Sequence, residues 1–325
     1  MSEPIDAVFT WVDGGDPQHQ KKRREYSADG KLSGTHQHAA SATRFSDQGE
    51  LFYSVLLARK NAPWLRNIYI VTDEQVPSWL TSDMANDLGV NVVDHKILFR
   101  GYEEYLPTFN SMAIEAMIHR IPRLSSRFLY FNDDVFIVRP VAESDYFSEG
   151  KPVFRGKWQW NSRFIKKGKK IVRFLTKKKA PAGPDGLVGK RAEVDMMGLW
   201  RYFALAHVPH PIDKEYYENL FTDKLIKDTI KFRFRNEKQI WPIGYYANHL
   251  TSKGGGKRLL DDWNYISPKF LDSTEVGMLS IVNQPQKHLC IQSMDQIPAG
   301  IRAALVKQLE ELSESSVSMS SERVS

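Results

Sequence analysis

Residues 129–138 read LYFNDDVFIV: an apolar run breaks into Asn132, Asp133 and Asp134 and then resumes. A short apolar run bounded by polar residues is the signature of a buried strand, and Phe128 to Phe131 is read as one. Three other stretches have the same form. Ala7 to Val12 is followed by Asp13 and Asp16, Ile68 to Thr72 by Asp73, and Val90 to Val93 by Asp94 and His95. Helical patterns fall between them, at Glu50 to Lys60 and Ser111 to His119. This alternation predicts an α/β fold with a largely parallel sheet covered by helices. In such sheets ligands gather beyond the carboxyl ends of the strands. The polar residues after each strand should therefore converge on one crevice.

Outside this core the pattern loosens. Residues 20–43 are charged, then Ser/His/Ala-rich, and read as a flexible excursion. Residues 165–190 read as a long loop, and a second helical region is expected from about Asp195 to Leu250. GGGKR at 254–258 reads as a hinge, and Ala299 to Leu312 as an amphipathic helix. No internal repeat is visible. The expectation is one catalytic domain over residues 1–312, with a disordered Ser/Glu-rich tail at 313–325.

Bulk properties narrow the class. Hydrophobic residues make up 42% of the 325 and charged residues 26%, as in an ordinary globular enzyme. The single cysteine, Cys290, rules out an internal disulfide and any multi-cysteine zinc site. No apolar run reaches the length of a membrane span, and the N-terminal residues do not form a secretory signal. A cytoplasmic location is expected. From Lys151 to Pro184 there are twelve Lys or Arg residues and no Asp or Glu. Such a segment reads as a mobile basic loop and suits an anionic polymer or the anionic inner face of a membrane. Nucleic acid is not expected, because no nucleic-acid-binding motif accompanies the charge.

Four segments carry residues suited to chemistry. Asp133 and Asp134 are adjacent carboxylates at a strand end, where mutual repulsion and desolvation are costly. A divalent cation bridging phosphates relieves that cost, and an exposed acidic turn is the alternative. In LPTFNSMAIEAMIHRIP (106–122), Asn110 or Ser111 can cap a helix on which Glu115 and His119 share a face. In AHVPHPIDKE (206–215), His207, His210 and Asp213 lie in an extended segment suited to proton transfer or phosphate contact. KFRFRNEK (231–238) alternates basic and aromatic residues, so a strand would place Lys231, Arg233 and Arg235 on one face.

These stretches resemble the Stealth family, which includes bacterial capsular polysaccharide phosphotransferases and the animal N-acetylglucosamine-1-phosphotransferase. The first family region resembles IDAVFTWVDGGDP (5–17). The second resembles residues 42–80 and continues through DHKILF to LYFNDDVF. The third resembles AHVPHPIDKE with KFRFRNEK, and the fourth KHLCIQSMDQIP (287–298). The resemblance implies a glycosyltransferase-A-like α/β core with a helical addition. It also implies a UDP-N-acetylhexosamine donor, an oligosaccharide or capsule-polymer acceptor, and a requirement for Mg²⁺, with Mn²⁺ as an alternative. By matching position it implies that Glu115, Asp134, His207 and Arg235 are catalytic, and that Asp13, Asp16, Arg44 and Asp73 bind the nucleotide sugar. Asn110, His119, His210 and Arg233 are further candidates for substrate contact, and Asp133 with Asp134 for the metal. Phe52 and Met112 depart from the family pattern. Gln292–Ser293 stands where the family has Asn–Asp, which weighs against a role for the fourth region.

The function expected is transfer of N-acetylhexosamine-1-phosphate from a UDP-sugar to a saccharide hydroxyl, with release of UMP. A conventional glycosyltransferase releasing UDP is one alternative; a non-catalytic module binding anionic polymers is another.

Overall fold

A computed structural model describes residues 3–28, 45, 47–161, 192–259, 262–271, 281 and 284–314. In chain order, β1 (Ile5–Thr10) leads through α1 (Pro17–Ala28) and α2 (Glu50–Asn61) to β2 (Leu65–Thr72). Next come α3 (Ser82–Leu88), β3 (Val90–Asp94), α4 (His95–Leu98), α5 (Ser111–Glu115) and β4 (Arg127–Asn132). The second half begins with β5 (Val135–Ile137), β6 (Phe147–Ser148), β7 (Lys151–Trp160), α6 (Ala192–Met196), β8 (Arg201–Leu205) and β9 (His210–Asp213). It ends with α7 (Lys214–Leu220), α8 (Asp223–Ile230), α9 (Pro242–Ser252), β10 (Lys257–Leu259), β11 (Trp263–Ile266), β12 (His288–Ile291) and α10 (Ala299–Glu314).

The central sheet runs β3-β2-β1-β4-β9, parallel except for β9. The expected α/β architecture is present, and each of the four predicted strands falls in it. Side chains alternate across the sheet. Ala7, Phe9, Ile70, Leu129 and Phe131 pack against Leu51, Val55 and Ala58 of α2. Val8, Val71, Phe128 and Tyr130 face the other way, onto a cluster with Ala113, Tyr217 and Tyr246 from α5, α7 and α9. Both faces of β1 and β4 are buried, so their central residues are apolar in succession rather than at alternate positions. Phe9 stacks on Phe131 at 4.3 Å.

Two smaller sheets flank this core. β7 pairs with β6, β8 and β10. The other sheet runs β11-β12-β5. β5 follows β4 after the Asp133–Asp134 turn, and β12 lies antiparallel to it. Phe136, Leu289, Ile291, Leu305 and Leu309 form a third core in which α10 covers this sheet.

The outer parts of the chain differ from the sequence reading. The region expected to be helical from Asp195 to Leu250 contains β8 and β9 as well as helices, because Phe203 and Ile212 are buried in strand pairings. The first ten residues of the basic stretch are β7 rather than loop, and Arg155 is 1% exposed and bonded to Asp262 at 2.6 Å. α10 runs on to Glu314, through the first two residues assigned to the tail. Residues 162–191, with most of the basic stretch, and 315–325 lie outside the described residues. No described helix is long and apolar enough to cross a membrane.

Asp6 ties the sheet together at its N-terminal edge. Its fully buried carboxylate accepts from Arg66 (2.9 and 2.7 Å) and from the backbone N–H groups of Asn67 and Ser125 (3.1 and 2.8 Å). It thereby joins β1, β2 and the loop before β4. Asp6→Ala leaves the buried Ser125 N–H unpaired and is expected to cost about 2–4 kcal/mol. Urea denaturation measures this; a loss below about 1 kcal/mol would contradict the assignment.

Candidate active site

The sheet's carboxyl edge opens into a cavity of about 490 Å³. Its walls come from residues 10–12 after β1, His19 of α1, Phe45, the start of α2, His95 and the 108–114 segment. Asn132 to Asp134, His207, Arg235, 267–269 and 292–296 complete it. The strand ends thus meet as the sheet topology requires.

One end is acidic. Asp133 and Asp134 occupy the turn between β4 and β5, facing Glu50 in the first turn of α2. Burial pushes Asp134 up to about 6. Burial, followed by repulsion from Asp134, Glu50 and Asp47, holds Asp133 well above the usual carboxylate range. Glu50 rises to about 7, again chiefly through burial. Asp134 Oδ1 is buried without a hydrogen-bond partner. Asp47 is engaged by Trp11 Nε1 (2.9 Å) and the Gly49 N–H (2.8 Å).

Glu115 lies behind the cavity wall, 3% exposed. Tyr130 Oη approaches its Oε1 at 3.4 Å, and the Trp241 side chain and the Ile243 N–H also favour its charged form. Burial raises Glu115 to about 7 against the lowering field of Arg235. Arg235 also lowers Asp134, so the guanidinium acts on both carboxylates. Its Nη2 donates to Ser111 Oγ at 2.6 Å. Asn110 caps α5 by accepting from the Met112 N–H, and its amide donates to Gln239 Oε1 at 2.9 Å. That bond ties α5 to the segment carrying Arg235.

The other end is aromatic. His19 and His95 are 2% and 1% exposed, and burial lowers both, His95 to about 4. Both rings are therefore neutral at pH 7. His19 Nδ1, both ring nitrogens of His95 and Thr108 Oγ1 have no hydrogen-bond partner. Phe109 lies against His19 at 5.5 Å and stacks on Phe234 at 5.1 Å.

Of the residues singled out in the sequence, Asn110, Asp133, Asp134, His207 and Arg235 line the cavity, with Glu115 one layer behind. Others have different work. Asp13 accepts from the Gly15 N–H at 2.7 Å, and Asp16 from the His19 N–H at 2.6 Å, so both shape the turn into α1. Gly14 in that turn has no room for a side chain, since a Cβ would lie 2.1 Å from the Phe45 carbonyl oxygen. Asp73 is paired with Lys22 at 3.2 Å. Arg44 lies outside the described residues.

Three sequence groupings do not form. α5 ends at Glu115, so Glu115 and His119 do not share a continuous helix; His119 is buried beside Tyr217 at 5.8 Å. His210 is buried between Tyr130 and Trp241, and burial lowers it to about 3. Asp213 caps α7, while His207 is exposed on the cavity wall, so these three do not act together. Residues 231–235 are irregular rather than a strand. Lys231 pairs with Asp228 (2.7 Å), and Arg233 donates to the carbonyls of Glu104, Tyr105 and Pro107. Only Arg235 of the three lines the cavity.

Sequence reasoning missed Glu50, His19 and the fourth region, which contributes residues 292–296 to the wall despite Gln292–Ser293. His95 was visible as a polar residue after a strand. Glu50 and His19 carry no local signal.

Residues 3–31 match the family model for Stealth protein conserved region 1, and residues 44–154 that for conserved region 2. The chain carries Stealth conserved regions 1 and 2. The capsular polysaccharide phosphotransferase fcs1 of Haemophilus influenzae is 46% identical over 145 residues, 44% of this chain and 38% of that protein. The exopolysaccharide phosphotransferase SCO6021 of Streptomyces coelicolor is 47% identical over 145 residues, 45% and 25% of the two chains. The capsular polysaccharide phosphotransferase LcbA of Neisseria meningitidis is 43% identical over 143 residues, 44% and 37%. The matched stretch thus spans well under half of each relative. The galactosyltransferase LgtC, solved with donor and acceptor sugar analogs, is similar over 96% of both chains at 10% identity, with a TM-score of 0.45. Mouse xyloside xylosyltransferase 1 covers 89% of this chain at 13% identity, with a TM-score of 0.39. The two Stealth regions supply the strand ends and the β4–β5 turn of the cavity.

The raised Glu115 has a consequence for stability. Between about pH 4.5 and 7 the folded chain keeps a proton there that the unfolded chain has released, so stability falls as pH rises through that window. Glu115→Gln removes this cost. Its stability relative to the wild type should rise between pH 5 and pH 8 by on the order of 2 kcal/mol. Urea unfolding at both pH values measures it, and a pH-independent difference would refute the assignment.

Proposed function

We propose that this chain is a sugar-phosphate transferase of cell-surface polysaccharide synthesis. It moves N-acetylhexosamine-1-phosphate from a UDP-sugar to a saccharide hydroxyl and releases UMP. The observation that carries this reading is the meeting of Asp133, Asp134, His207 and Arg235 on one cavity, with Glu115 behind it. The names of the capsular and exopolysaccharide relatives support it. At about 490 Å³ the cavity is of the size that holds small ligands. Its polarity also suits a nucleotide sugar: a neutral, aromatic end with unfilled polar atoms for a flat base, and an acidic end with one guanidinium for a diphosphate.

The acidic end fits a divalent cation. Two adjacent carboxylates repel each other, and one of their buried oxygens has no partner. Among the described residues no group of three or more His, Cys, Asp or Glu side chains could hold a metal. Mg²⁺ characteristically takes one or two carboxylates and completes its shell with water and substrate phosphate. Asp133 and Asp134 would hold it, and when bound it would neutralise charge on the diphosphate oxygens.

In the reaction, the acceptor oxygen attacks the β-phosphorus of the donor. A new P–O bond forms, the bond from β-phosphorus to the bridging oxygen breaks, and UMP leaves with that oxygen. His207, exposed on the cavity wall, takes the proton from the acceptor hydroxyl. Arg235 stabilises the equatorial phosphoryl oxygens. Glu115 sets the field around Arg235 and holds α5 against Tyr130.

Incubation with a panel of UDP-sugars, Mg²⁺ and saccharide acceptors should release UMP. Release of UDP would instead mean attack at the anomeric carbon, and no donor consumption would mean a binding module. Asp134→Asn and Arg235→Ala should each lower kcat by about 10²–10³ with folding intact. Near-normal turnover in either variant would remove that residue from the mechanism.

A further inference from the structure

β7 and β8 form an antiparallel ribbon with Gly156 opposite Leu205, Trp158 opposite Phe203 and Trp160 opposite Arg201. Directly opposed residues share a face, and every second residue along a strand returns to it. Trp158, Trp160 and Arg201 therefore lie on one side of the ribbon, with Trp200 adjoining. The three tryptophans are 40%, 60% and 54% exposed. Large apolar side chains clustered on a surface mark a binding site more often than chance.

Here the rings are interleaved with guanidinium groups. Arg201 lies 4.5 Å over Trp158 and 5.4 Å from Trp200. Arg258 of β10, on the far side of β7, lies 5.2 Å over Trp158, and Trp160 meets Trp200 at 4.9 Å. Neither guanidinium is paired with a carboxylate among the described residues. A guanidinium stacked on an indole keeps its N–H edge free for an anion, and phosphate is its best geometric match.

The ribbon also leads to the cavity. At its base the Ala206 N–H bonds to the Arg155 carbonyl (2.9 Å), and the next residue, His207, lines the cavity. At about 3.3 Å per residue, Arg201 lies about 20 Å from His207 along the strand. That is the reach of several sugar units.

We propose that this Trp–Arg face holds the acceptor, as an anionic saccharide whose units are joined by phosphodiesters. The Trp160 and Trp200 indoles stack on the C–H faces of sugar rings, while Arg201 and Arg258, carried on Trp158, hold the intervening phosphates. This rests on the saccharide acceptor of the proposed function and adds its charge and its path. A transferase of sugar phosphates makes a product in which rings and phosphates alternate, and the face presents indoles and guanidinium groups side by side.

The test is direct binding, by titration calorimetry. The probes are a phosphodiester-linked trimer of N-acetylglucosamine, the neutral glycosidic trimer, and phosphatidylglycerol vesicles. The wild type should bind the phosphodiester trimer about fivefold or more tighter than the neutral one. The double variant Trp160→Ala, Trp200→Ala should weaken that binding about tenfold and raise its KM, with kcat and the donor KM unchanged. Trp160→Phe with Trp200→Phe should restore most of the affinity, and Arg201→Gln should erase the preference for phosphate. Equal affinity for both trimers, no effect of the double variant, or tighter binding to vesicles than to either trimer would overturn the proposal. UMP release onto a monosaccharide acceptor tests catalysis separately. Loss of that activity with trimer binding intact sinks the catalytic reading, and the reverse sinks only this surface.

Discussion

Four carboxylates, Asp133, Asp134, Glu50 and Glu115, are brought to or just behind one cavity wall, and the Arg235 guanidinium acts on two of them, Glu115 and Asp134. Desolvation raises all four, and repulsion raises Asp133 further. A fold gains nothing from such an arrangement by itself, because each charge taken from water is costly and neighbouring like charges add repulsion to that cost. The surrounding cores must hold these groups in place against that cost.

They do so from three directions. The paired strands β4 and β9 fix the approach to the Asp133–Asp134 turn, and β12 fixes its exit by pairing with β5. The Ile291 N–H bonds to the Asp134 carbonyl at 3.0 Å. Fourth-region residues thus meet the Asp133–Asp134 turn through backbone, which any side chain permits. That is why Gln292–Ser293, where the resemblance implied Asn–Asp, does not remove the segment from the wall. From the opposite side, the Asn110–Gln239 bond locks α5 to the segment bearing Arg235.

The histidine end balances the acidic one. Burial keeps His19 and His95 neutral, so one cavity is lined both by uncharged aromatic rings and by carboxylates. Asp13 and Asp16 contribute to this end indirectly, by shaping the turn that presents His19. They are needed for the geometry without lining the cavity.

The α/β class, the four parallel-sheet strands, α2 and the convergence of strand ends were legible in residues 3–154, because apolar runs and the turns that end them are local signals. Asp133, Asp134 and Arg235 were legible too, through their motif context. Which histidine faces the cavity was not: His207 and His210 are three residues apart, and only pairing of His210 with Tyr130 sends one inward and leaves the other on the wall. The same holds for Arg233 and Arg235, divided by an irregular backbone where alternation in the sequence implied a common face. Local sequence sets which residues can fold as strand or helix and which carry charge. Long-range packing sets which of those charges leave water, and that choice made the site.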